Sequence, residues 1–153
     1  MLGSGGARRR CAAGDDARRP RSETAELYKV VTHGTVDQMA ALAKRIVAEG
    51  YHRLQVKVGG NVRDDIERVS AVAAAVPKGT VIFCDANAGW TPYQARQFAD
   101  ATRAIDYTFE QPCTTIDENM SVRRMLDKPM VLDNPSRRSR KCLRFIAEAR
   151  PTG

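Results

Sequence analysis

The feature that most constrains this chain is a regular alternation of strand and helix signals running from Leu27 to Leu132 with short loops between. Residues 28–32 read as a short strand. Thr35 with Gln38 forms a capping box, and Val36, Met39, Ala40, Ala43, Ile46 and Val47 follow at helical spacing until Gly50 stops the run. Residues 54–58 read as the second strand, closed by Gly59 and Gly60. Ile66, Val69, Val72, Ala73 and Val76 mark a second helix, ended by Pro77 and Gly79. The unbroken apolar run 81–84 has the character of a strand buried on both faces. Thr91, Pro92 and Gln94 open a third helix reaching about Ala104. Residues 107–110 read as a fourth strand, Thr115 and Glu118 cap a helix ending near Leu126, and 130–132 read as a fifth strand. With no hairpin signal, this order implies a parallel sheet with right-handed crossovers, hence an α/β protein. Periodicity leaves open whether that sheet stays open or curls into a barrel.

Composition narrows the function classes. The chain has 153 residues, 42% of them hydrophobic, enough for one domain with its own core and too apolar for a disordered chain. No window approaches the ~18 apolar residues of a membrane span, so no membrane role is expected. The net charge of +7 suggests a nucleic-acid binder until it is mapped. Residues 1–22 hold six Arg against two Asp, and residues 134–153 hold six Lys or Arg against one Glu. Between them, 13 basic and 15 acidic side chains leave a net −2. The basic excess belongs to the ends, which lack interleaved aromatics, and nucleic acid is not the expected partner. Residues 1–26 are expected to be a disordered basic tail. They carry no apolar stretch for a secretory signal, and Asp15, Asp16 and the early glycines argue against a mitochondrial presequence. Cys11, Cys84, Cys113 and Cys142 show no metal-ligand spacing, so reduced thiols in a cytoplasmic protein are expected, with Cys84 inside a strand.

The strand ends carry the chemistry. The second strand ends with Gln55 and Lys57, two apart and therefore on one face. The third ends with Asp85 and Asn87, the fourth with Glu110 and the fifth with Asp133. The intervals 57 to 85, 85 to 110 and 110 to 133 are each about one strand–helix unit. Consecutive parallel strands would thus set one lysine and three carboxylates side by side. Three hard oxygen ligands suit Mg²⁺, and a lysine beside such an ion can act as a base. His33, just after the first strand, is a weaker candidate for substrate contact. Trp90 is expected to pack the loop after the third strand.

Residues 50–60 (GYHRLQVKVGG), 85–90 (DANAGW) and 110–113 (EQPC) resemble, in order and spacing, the barrel of the enolase superfamily. The resemblance is to the mandelate racemase/muconate lactonizing enzyme group, with wording most similar to cis-3-hydroxy-L-proline dehydratases, and it covers residues 27–133. It implies a partial (β/α) TIM-type barrel of about five parallel strands. It implies Lys57 as the base that removes the proton α to a carboxylate. It also implies Asp85, Glu110 and Asp133 as Mg²⁺ ligands, a family chemistry in which the metal stabilises the resulting enediolate. A small carboxylate substrate, of the hydroxyproline or 2-hydroxy acid type, follows from the same resemblance. Gln55 stands where many members have a first lysine, and Asn134 where the family usually has Glu.

After Asn134 the likeness fades into the basic run 135–141, although residues 143–148 still look like the family's next helix. A family capping domain is not expected in the 26 residues before the first strand, and a whole barrel of eight strands typically takes ~250 residues. The reading is therefore a dehydratase- or racemase-type barrel portion, 27–133, between a basic tail and a divergent basic segment, 134–153, inactive by itself. Both ends are expected to come from altered reading frames or gene boundaries, which the flanking DNA would show. The alternative is a non-catalytic α/β module that assembles with another chain. Open edges on the first and fifth strands would favour self-association.

Overall fold

A computed structural model describes residues 28–132 and the backbone of 144–146. Its order is β1 (Lys29–Val31), α1 (Val36–Ala48), β2 (Arg53–Lys57), α2 (Val62–Ala75), β3 (Val81–Asp85), α3 (Pro92–Ala101), β4 (Thr108–Glu110), α4 (Ile116–Met125), β5 (Met130–Leu132) and β6 (Arg144–Ile146). The strands form one sheet in sequence order. Pairings from β1 to β5 are parallel, while β6 lies antiparallel against β5.

Local signals account for the helices. The Thr35 hydroxyl accepts from Gln38 N, and the Gln38 side chain accepts from Thr35 N. The same reciprocal box opens α3 at Thr91 and Gln94, with Pro92 at the first helical position, and α4 at Thr115 and Glu118. Helix α2 starts four residues before its first apolar marker, Ile66, because Asn61 caps it by accepting from Arg63 N and Asp64 N. Helix α3 stops at Ala101, short of the expected Ala104. There Thr102 turns its hydroxyl onto Phe98 O (2.8 Å) and Tyr107 OH (2.9 Å), closing the last turn.

Side chains alternate between the two faces along the strands. Leu54, Val56, Ile82, Cys84, Phe109 and Met130 are buried against Met39, Ala43, Ile46, Val69, Val72, Ala95, Phe98 and Val122 of the helices. Right-handed crossovers between consecutive neighbours set every helix on one side, which is why only that face is continuously apolar. Trp90, Phe98, Tyr107 and Phe109 meet ring to ring, the nearest pair 4.8 Å apart. The opposite face carries Gln55, Lys57, Asp85 and Glu110 toward the carboxyl end. On the same face Val30 lies beside Gln55 and Val81 lies toward the amino end, 37% and 40% exposed.

Two expectations are corrected. Residues 144–146 are strand, not part of a helix over 143–148. The edge of β5 offers unpaired N–H and C=O groups, and a segment containing Phe145 and Ile146 suits an extended partner better than a lone helical turn. The fifth strand therefore has no open edge. Among the described residues the sheet ends at β1 and at β6. The expected tail 1–26 and most of 134–153, with Cys11 and Cys142, lie outside the described residues.

Candidate metal-binding edge and base

Parallel pairing turns sequence spacing into adjacency. Lys57 is the register partner of Asp85, and Asp85 of Glu110, so three ionisable groups stand abreast at the carboxyl ends of β2, β3 and β4. Neighbouring strands lie about 4.8 Å apart, close enough for such side chains to meet. The ladder continues past the strand ends: Val58 N donates to Asp85 O (2.9 Å), Ala86 N to Glu110 O (3.1 Å) and Gln111 N to Val131 O (2.9 Å). The groups thus stand on paired backbone, not on free loops.

Asp85 is nearly fully buried and all of its oxygens are engaged. Its Oδ2 accepts from Lys57 Nζ in an ion pair and from Gln55 Nε2 at 3.0 Å, and its Oδ1 accepts from Asn87 N at 3.0 Å. The same Gln55 Nε2 donates to Glu110 Oε2 at 2.7 Å. Gln55, 6% exposed, therefore ties two carboxylates of adjacent strands together through one amide nitrogen. Lys57, Asp85 and Glu110 carry one positive and two negative formal charges, leaving the cluster net negative.

Of the other residues singled out from the sequence, Asn87 does not share the strand face. Strand β3 ends at Asp85, and Asn87 (φ 47°) and Ala88 (φ 60°) turn the chain in the left-handed region. Asn87 contributes its backbone N–H while its side chain is exposed. An alternation argument cannot extend past the last extended residue. His33 is exposed in the loop after β1. Trp90 is buried and donates to Gly60 O at 2.8 Å. Asp133 lies outside the described residues.

Sequence reasoning missed Asp65. This buried carboxylate accepts from Gly59 N (3.1 Å) and Gly60 N (2.9 Å), and its other oxygen pairs with Arg68 Nη1 (3.0 Å). Arg68 Nε reaches on to Gly34 O (3.0 Å), so the pair joins the loops after β1 and β2. The available signal was an acid one turn inside a helix that follows Gly-Gly, where N–H groups and the helix dipole both favour negative charge. The loops after β2 and β3 meet backbone to backbone. A Cβ on Gly59 (φ 103°) would fall 2.2 Å from Ala86 O, and one on Gly89 2.3 Å from Gly59 O, so both must be glycine.

The two described cysteines are free. Burial pushes the Cys84 thiol far up, and it pushes Cys113 up to about 11, with the Glu118 charge adding to the effect. Neither offers a thiolate near neutral pH. Among the described residues no three His, Cys, Asp or Glu side chains gather as a ready ligand group. Asp85 and Glu110 nonetheless form a pair of hard oxygen donors converging on one N–H₂ group and, at Asp85, one ammonium. That donor set fits Mg²⁺.

A parallel α/β sheet with its polar groups gathered at the carboxyl strand ends places the chain with proteins that build their site there. The chain belongs to the enolase C-terminal domain-like family, whose family model matches residues 38–149. It is 37% identical over 122 residues to a cis-3-hydroxy-L-proline dehydratase of Roseibium aggregatum, covering 80% of this chain and 33% of that protein. It is 34% identical over 128 residues to an L-Ala-D/L-Glu epimerase of Thermotoga maritima, covering 80% and 37%. A crystal structure of an enolase-superfamily member from Roseovarius nubinhibens, complexed with magnesium, superposes with a TM-score of 0.66 at 34% identity, covering 71% of this chain and 29% of that one. The chain thus spans about a third of the length of the curated relatives it matches. Its five parallel strands and four helices are the part of the fold that it shares with them.

Proposed function

We propose that this chain carries the base and part of the metal site of an enolase-superfamily dehydratase or racemase acting on a small carboxylate, and that the 153 residues alone do not complete the catalyst. The observation that carries this reading is the in-register set Lys57, Asp85 and Glu110, joined by Gln55. Lys57 Nζ, as the neutral amine, would take the proton from the carbon α to the substrate carboxylate, leaving the electron pair to that carboxylate. Asp85 and Glu110, with Asp133, would hold Mg²⁺, which when bound supplies positive charge against the second negative charge developing on the substrate. Gln55 keeps the two carboxylates together, the Asn87 N–H fixes Asp85, and His33 and the Asn87 side chain, both exposed, would be available for substrate contact.

Activity needs more than this edge. An acid or base opposite Lys57 is typically worth ~10²–10⁴-fold, and a cover excludes water and strengthens every electrostatic interaction beneath it. Relatives that are enzymes favour this reading over a non-catalytic assembly module. No described helix is long and apolar enough to cross a membrane, and we place the protein in the cytoplasm.

Deuterium exchange at the α-carbon of cis-3-hydroxy-L-proline and of mandelate, with Mg²⁺ present, tests the reading. The purified chain should show no exchange above Lys57→Ala, yet bind Mn²⁺ weakly, with binding abolished by Asp85→Asn and by Glu110→Gln. Exchange well above the control would show a complete catalyst. Binding indifferent to both carboxylates would remove the metal site.

A further inference from the structure

The metal reading names the carboxylates; the structure adds the group that stands between them. Gln55 Nε2 has two N–H bonds, and the two acceptors within reach are Asp85 Oδ2 at 3.0 Å and Glu110 Oε2 at 2.7 Å, on different strands. The position is buried, so water does not readily take over either bond. Gln55 is the register partner of Phe83, one step deeper in the sheet than Lys57 and Asp85, so its amide forms the floor beneath the carboxylates. A donor aimed at two converging anions is placed as a small cation would be, but without a charge.

Resting on the metal-site reading above, we propose that Gln55 is a neutral stand-in for the cation and sets how tightly this edge binds one. Its amide holds Asp85 and Glu110 together when no ion is present, and must release at least one of them when an ion enters. Each bond lost to a carboxylate is charge-assisted, so the amide competes directly with the ion. Being neutral, it adds no charge of its own against the two carboxylates. A lysine at the same position would bring a full positive charge to the two carboxylates and compete far more strongly, whereas an apolar side chain of similar length would not compete at all.

The test uses the full chain, Mn²⁺ titration by electron paramagnetic resonance, and the side-chain amide signals of Gln55 followed by NMR during Mg²⁺ titration. Gln55→Met, which keeps length and tolerates burial, should bind Mn²⁺ about tenfold tighter, and Gln55→Lys at least about tenfold weaker. In the unsubstituted chain both Gln55 Nε2 protons should move upfield along the same curve as the binding. Unchanged or weaker binding by Gln55→Met overturns the proposal, since a purely supporting side chain or a direct ligand would give that result. Static amide signals during saturable Mg²⁺ binding overturn it as well, without requiring any variant to fold. If Asp85→Asn and Glu110→Gln leave Mn²⁺ binding intact, or no binding occurs, the fault lies in the underlying metal-site reading and the proposal falls with it.

Discussion

Asp65 bears more of the site's geometry than any of the residues that face it. Its two oxygens serve Gly59 N, Gly60 N and Arg68, and through Arg68 the carbonyl of Gly34, so one side chain fixes the loops after two strands. Asparagine at this position would present an N–H₂ group to a guanidinium or to an amide N–H, leaving a buried charge or donor unpaired. Breaking a buried pair from one side costs about 3–5 kcal/mol. Asp65→Asn should therefore lower stability by about 3 kcal/mol in urea unfolding, and adding Arg68→Met should restore part of that loss. An additive double variant would show that the two side chains do not act as a pair. Gln55 belongs to the same scale: its spacing from Lys57 placed both on one face, but its contact with two carboxylates depends on strands 30 and 55 residues further along the chain.

Helices here begin where side chains close on the backbone. Thr35, Thr91 and Thr115 each make the reciprocal box with the residue three later, and each box was readable as a Thr-x-x-Gln or Thr-x-x-Glu string. Such caps are worth about 1 kcal/mol apiece. Thr91→Ala should cost about that much in urea unfolding, and Thr91→Ser should cost only a fraction of it; equal losses would mean that the methyl group matters more than the hydroxyl. Strand ends were read within a residue or two because the apolar runs are short and bounded. The misreadings fall where two signals compete. Asn61 starts α2 a turn before the apolar stripe begins, and residues 144–146, helical by likeness, are extended because β5 offers a backbone edge.

At the scale of the molecule, one face of the sheet is sealed by four helices while the other leaves Val30, beside Gln55, and Val81, toward the amino end, exposed. With β6 laid against β5, the described sheet ends at β6 and at β1, and β1 keeps one edge open to pairing. Self-association through β1 is accordingly the expected behaviour at high concentration. Light scattering across a dilution series should show the mean mass falling toward that of the monomer, and Val30→Lys should shift the curve to higher concentration. A mass that stays monomeric at every concentration, with or without the substitution, would remove β1 as a pairing edge.

The class of fold was determined locally. Strand and helix patterns alternating in short units imply parallel strands with right-handed crossovers, and nearly equal intervals set Lys57, Asp85 and Glu110 in register. The sequential strand order that puts every helix on one side comes from the tertiary structure. What the tertiary structure alone decided is how those groups are wired. Whether an amide bridges two carboxylates, whether Asn87 turns off the strand, or whether Asp65 reaches two loops depends on distances between elements tens of residues apart. Those distances arise from core packing and from the twist of the sheet, neither of which leaves a mark at the individual positions it brings together.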